Sequence, residues 1–150
     1  VERKRFHFKN LFENDSKLSL IDGVLDLIKD YHRNGLTLVL ASSASMTTIN
    51  NVFSRFDLNQ FFTAKLSGAD LKASKPHPEI FIKAAKASGY KKNECIVIED
   101  STNGIKAAYD AGIYCIGFES VNSKNQDYTL ANKVISDFTE ITYDKTRSFV

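Results

Sequence analysis

Five short apolar runs, spaced by stretches of helical periodicity, constrain the fold more than any other feature of this chain. They are "LTLVLAS", "FFTAKLSG", "CIVIED", "YCIGF" and the shorter "KVISDF". Runs of this length rich in Val, Ile and Phe read as buried strands. Between them, Ile49, Val52, Phe53 and Phe56 recur on one helical face, and "PEIFIKAAKAS" is a helix with Pro78 at its first position and Gly89 behind it. Another helix is expected from about Asn103 to Ala111, closed by Gly112. Leu25, Ile28, Tyr31 and His32 mark an earlier one, from about Gly23 to Arg33, with Gly35 at its C′ position. Strands alternating with helices imply an α/β protein: a three-layer Rossmann-like sandwich around a mostly parallel sheet with right-handed crossovers.

The 150 residues suit one core of this kind, and 43% apolar residues with eleven Phe and two Pro fit an ordered globular chain. The net charge is only +2, with basic and acidic residues interspersed, so no nucleic-acid partner is expected. No apolar run approaches the ~20 residues of a membrane span, and "VERKRFHFKN" lacks the apolar region of a signal peptide. Cys95 and Cys115, each beside an apolar run, are expected to be buried thiols. A cytoplasmic location is the default expectation.

Ligands of open parallel sheets bind beyond the carboxyl ends of the strands, and three such ends are polar. At "LASSAS", Ser42 and Ser43 follow a strand and precede a helix. A hydroxyl with neighbouring backbone N–H groups makes a small anion site there, and a pair of helix-capping serines is the plainer alternative. At "KASKPHPEIF", Pro76 and Pro78 restrict the backbone around Lys75, which is either an aimed ammonium or an ordinary solvated lysine, with His77 capping the next helix. At "IVIEDSTNGIKAAYDAG", an apolar run delivers Glu99 and Asp100 side by side, an oxygen pair suited to Mg²⁺. The alternative there is Asp100 or Ser101 as a helix cap, with Glu99 solvated. In this order at successive strand ends, the three form a set suited to a phosphate and its metal.

That order resembles the haloacid dehalogenase-like phosphotransferases, in the branch of β-phosphoglucomutase and the sugar-phosphate phosphatases. "LVLASSAS" is similar to the family's second motif, "KASKPHPEIF" to its third and "IVIEDSTNGIKAAYDAG" to its fourth, over roughly residues 20 to 120. The resemblance implies that Ser42 and the backbone of Ser43 and Ala44 hold the transferring phosphoryl group of a small phosphorylated metabolite. It further implies that Lys75 neutralises that group and orients the nucleophile, and that Glu99 and Asp100 bind Mg²⁺. The activity implied is a phosphatase working through an aspartyl-phosphate, or alternatively a phosphohexose mutase. A non-catalytic phosphate-binding module is a reading of another class, and a flavodoxin-like or receiver-like domain a further one. Mutase relatives often carry a lysine and an asparagine after the serine, where this chain has Ser45 and Met46.

The family's first motif is a strand ending Asp-x-Asp-Gly, whose first aspartate attacks phosphorus and whose second serves as general acid and base. Only "SLIDGVL" comes near it, and two positions before Asp22 stands Leu20. Ser42 follows only twenty positions later, too soon for the cap domain expected between the two motifs. Relatives commonly read Pro-Gly-Val here, so Asp22 is expected to be a helix N-cap. Residues 1 to 18 then resemble the end of a cap domain and its return linker, and 19 to 150 an incomplete core domain, with the nucleophile outside this chain. This leaves a gap between the strands ending at Ala41 and Ile98. The missing strand is expected from a preceding polypeptide, from another copy, or from rearranged pairing of "RFHFK", because unpaired backbone groups there cost ~1 to 3 kcal/mol each.

Overall fold

The computed structural model describes residues 5–8, 23–72, 76–119, 125–147 and 149. Six strands form one sheet: β1 (Arg5–Phe8), β2 (Leu38–Ser42), β3 (Ala64–Ser67), β4 (Cys95–Glu99), β5 (Tyr114–Phe118) and β6 (Lys133–Ile135). Their order is β3-β2-β1-β4-β5-β6 and every neighbouring pair is parallel. The helices are α1 (Val24–Arg33), α2 (Met46–Arg55), α3 (Glu79–Ser88), α4 (Thr102–Ala111) and the single turn α5 (Tyr143–Thr146).

Strand alternation builds the three layers. Leu38 and Leu40 of β2, Ile96 and Ile98 of β4, and Ile116 and Phe118 of β5 point to one face, where α1, α2 and the 3₁₀ turn Phe138–Ile141 cover them. Ala41, Cys95, Val97 and Cys115 point to the other, under α3 and α4. Both faces are covered, which is why these strands read as continuous apolar runs rather than alternating ones. Both cysteines are buried free thiols.

The gap between β2 and β4 is filled from within the chain. Phe6, His7 and Phe8 pair with Leu38, Val39 and Leu40 on one side and with Ile96, Val97 and Ile98 on the other. Of the three sources expected for this strand, the structure carries the pairing of "RFHF". Arg5–Phe8, assigned from the sequence to a cap-domain end and return linker, are here a central strand of the core sheet. The physical reason is the pair of inner edges on β2 and β4, both fully buried strands whose N–H and C=O groups require partners.

Two details of α1 also differ from expectation. Its buried stripe is Val24, Leu27, Ile28 and Tyr31, with His32 exposed, so the apolar face is rotated by about one residue. The residue at the N-cap is Gly23, in the left-handed region at φ 83°, rather than Asp22, which lies outside the described residues. Gly35, at φ 80°, closes the far end as expected.

Candidate active site

This strand order reverses direction at β1: the chain steps outward through β2 and β3, then returns to the other side of β1 at β4. Crevices at such a switch point are where open α/β sheets bind ligands. Ser42 ends β2 and Glu99 ends β4, so the two flank β1 at the carboxyl edge, about 10 Å apart at usual strand spacing.

Ser42 is 1% exposed, and its Oγ accepts the N–H of Ala44 at 3.1 Å, folding the chain after β2 into a tight hydroxyl-capped turn. That turn is buttressed from β3, where Ser67 Oγ donates to the Ala44 carbonyl at 2.6 Å and accepts the N–H of Ala69 at 3.2 Å. Gly68 packs beneath: a Cβ there would meet the Ser42 carbonyl oxygen and Ser43 Cα, each at 3.5 Å. The alternative of a capping pair at Ser42 and Ser43 is corrected, because the N-cap of α2 is Ser45, which accepts the Thr48 N–H at 3.3 Å. The signal for it was the Ser-x-x-Thr spacing of Ser45 and Thr48. Ser67 was foreshadowed only by its place at a strand end.

On β4, Glu99 is not solvated but 1% exposed. Its Oε1 accepts the N–H groups of Asp100 and Ser101 at 3.0 and 3.1 Å and the Ser101 hydroxyl at 3.1 Å. The cap of α4 is Ser101, whose Oγ accepts the Gly104 N–H at 3.1 Å. Asp100 is half-buried, and its carbonyl accepts from the hydroxyl of Tyr128. Lys75 lies outside the described residues. His77 Nδ1 accepts the Glu79 N–H at 3.2 Å, acting at the start of α3 as expected, while Pro78 stands at the N-cap rather than at the first helical position.

Among the described residues no three His, Cys, Asp or Glu side chains converge as a metal cluster. Glu99 and Asp100, consecutive in the chain, nevertheless supply oxygen donors of the hard type that Mg²⁺ takes, since it commonly completes its shell with waters and substrate phosphate. The residues at the ends of β2 and β4 therefore offer a hydroxyl-and-amide turn and an acidic turn on either side of one central strand.

A family model described as haloacid dehalogenase-like hydrolase matches residues 2–118. Hexitol phosphatase B of Escherichia coli O157:H7 is 32% identical over 124 residues, covering 82% of this chain and 56% of that protein. The bifunctional riboflavin kinase/FMN phosphatase of Arabidopsis thaliana is 30% identical over 130 residues, covering 86% and 34%. Among solved structures, CbbY from Rhodobacter sphaeroides in complex with phosphate superposes with a TM-score of 0.75 at 26% identity, covering 81% of this chain and 55% of that one. β-Phosphoglucomutase from Clostridium difficile gives 0.71 at 26% identity, covering 91% and 57%. The chain thus spans about half the length, or less, of these relatives.

Proposed function

The chain belongs to the haloacid dehalogenase-like hydrolase family, and on that premise we propose that it forms most of the core of a Mg²⁺-dependent phosphatase of small phosphorylated metabolites, sugar phosphates foremost. The observation that carries the reading is the pairing, across one central strand, of the Ser42 turn with the Glu99–Asp100 turn. The similarity to hexitol phosphatase B supports the substrate class.

In this proposal the Ser42 hydroxyl and the Ser43 N–H hold the phosphoryl oxygens, as amide-rich turns after parallel strands do. The Ala44 N–H donates to Ser42 Oγ, so it shapes the turn and reaches the phosphate only if that bond is shared. Lys75 supplies the positive charge that offsets the developing negative charge on them. Glu99 and Asp100 hold Mg²⁺, Asp100 as the more exposed of the two and Glu99 through a carboxylate whose Oε1 is fixed by three hydrogen bonds. When bound, the ion supplies charge neutralisation and alignment of the transferring group.

The nucleophile is an aspartate outside residues 1–150, which attacks phosphorus as the P–O bond to the metabolite breaks. The second aspartate of the same motif protonates the departing alkoxide and then activates the water that hydrolyses the aspartyl-phosphate to free phosphate. Two sequence facts support this: Leu20 stands where Asp22 would need its partner, and Lys9-Asn10 follow β1 without a carboxylate. The strand carrying the nucleophile then competes with Arg5–Phe8 for the slot between β2 and β4. Hydrolysis is preferred over phosphohexose transfer because Ser45 caps α2, in a loop where mutase relatives often carry a substrate-binding lysine.

The experiment is phosphate release by the complete protein from a panel of sugar phosphates, with Mg²⁺ and with a chelator. Metal-dependent release is expected. A protein that instead interconverts hexose phosphates without releasing phosphate would establish the mutase.

A further inference from the structure

The segment 125–132, between β5 and β6, carries no periodicity in the sequence, yet it is bonded to the acidic turn at several points. Gln126 Oε1 accepts both the N–H of Thr102, at 2.7 Å, and its hydroxyl, at 3.0 Å. The same hydroxyl accepts the Asp127 N–H at 2.8 Å, so Thr102 and the segment hold each other reciprocally. Tyr128 then bridges two strand ends, its hydroxyl lying 3.3 Å from the carbonyls of both Asp100 and Phe118.

The far end of the segment is anchored to the sheet. Asn132 Oδ1 accepts the Cys115 N–H, and its own N–H donates to the Cys115 carbonyl, both at 2.8 Å. Gly117 leaves room for the ring of Tyr128, since a Cβ there would stand 2.8 Å from Tyr128 Cδ1. The segment is thereby tied to the sheet at 128 and 132 as well as to the turn it grips.

We propose that Gln126 and Tyr128 are positioning residues, which fix the backbone of Asp100 to Thr102 and so aim the Asp100 carboxylate at a divalent cation. The proposal rests on the reading of the site given above. Asp100 is held at its amide by Glu99 Oε1 and at its carbonyl by Tyr128, so the backbone that carries its carboxylate is fixed on both sides. Groups one shell away from a ligand commonly change metal affinity ~10- to 100-fold when removed.

The test uses the complete protein as wild type, Q126A, Q126E and Y128F. Mn²⁺ affinity is read by electron paramagnetic resonance of the free ion, and amide hydrogen exchange is followed across residues 100–104. Expected for Q126A and Y128F are about tenfold or greater weakening of Mn²⁺ binding and faster exchange in that turn, with Q126E, which keeps an accepting oxygen, close to wild type. Unchanged Mn²⁺ affinity in both Q126A and Y128F would overturn the proposal while leaving the site reading intact. A wild type that binds no Mn²⁺ would overturn the metal site itself, and this inference with it. Should Q126A fail to fold, Y128F, which removes a single hydroxyl, decides alone.

Discussion

Glu99 lies folded over Gly104, so closely that a Cβ at position 104 would stand 1.9 Å from Glu99 Cδ and 2.0 Å from its Oε2. Gly104 is helical and buried in α4, where alanine would ordinarily stabilise by ~1 kcal/mol. Here the added methyl must evict a carboxylate that holds three hydrogen bonds, each worth ~1.5 to 3 kcal/mol for a charged group. The clash outweighs the propensity. Gly104→Ala is expected to lower stability by at least ~1 kcal/mol in urea unfolding, whereas a gain in stability would show that Glu99 relocates freely.

Ser42 and Ser45 are three residues apart and separable by experiment. Ser45→Ala removes the α2 cap and should cost ~1 kcal/mol of stability without changing phosphate release. Ser42→Ala should lower turnover of the complete protein at least tenfold, about 1.4 kcal/mol of transition-state stabilisation. Equal turnover in the two variants would remove Ser42 from the phosphate site.

A proline in β1 tests which strand fills the centre of the sheet. His7 stands between Val39 and Val97, where proline removes a ladder donor and costs ~3 kcal/mol or more. His7→Pro should unfold the 150-residue chain and, if a nucleophile strand takes that slot as proposed, leave the complete protein within ~1 kcal/mol of wild type. Equal destabilisation of both would mean that Arg5–Phe8 keep the slot in the whole protein.

Alkaline pH should destabilise the fold through two buried acids. Burial, reinforced by the charge of Asp30, pushes the Tyr31 phenol well above its ordinary value of 10.0. Burial, reinforced by Glu99, pushes the Cys115 thiol well above 9.0. Each pKa is raised in the folded state, so the folded chain binds more protons than the unfolded one above the unfolded values, and stability falls as pH rises. Stability should be flat on this account below about pH 9 and then fall by up to ~1.4 kcal/mol per pH unit for each ionising group. Urea midpoints from pH 8 to 11 read this directly, and Tyr31→Phe should remove the part that begins near pH 10.

The strands β2, β4 and β5 were legible because both their faces are buried, and the order of polar strand ends carried the family resemblance. Gly35, Gly89 and Gly112 marked helix ends through the left-handed backbone they adopt. The place of Arg5–Phe8 was not fixed by any local pattern: "RFHF" alternates like many short strands, and its position follows from the open edges of β2 and β4. The loop that grips the acidic turn was invisible for the same reason. Gln126 and Thr102 are 24 residues apart, and Tyr128 and Asp100 are 28 apart, contacts that leave no trace in periodicity. Of the two readings the sequence left for Glu99, the solvated one fails, because the amides of the turn that follows it satisfy Oε1 inside the protein.

The proposed metal-assisted phosphatase site at the strand ends is tested most directly by Mg²⁺-dependent phosphate release by the complete protein in wild-type, Asp100→Ala and Lys75→Ala forms. Release that requires Mg²⁺ and falls at least ~100-fold in each variant is expected. Full activity in both variants would contradict it.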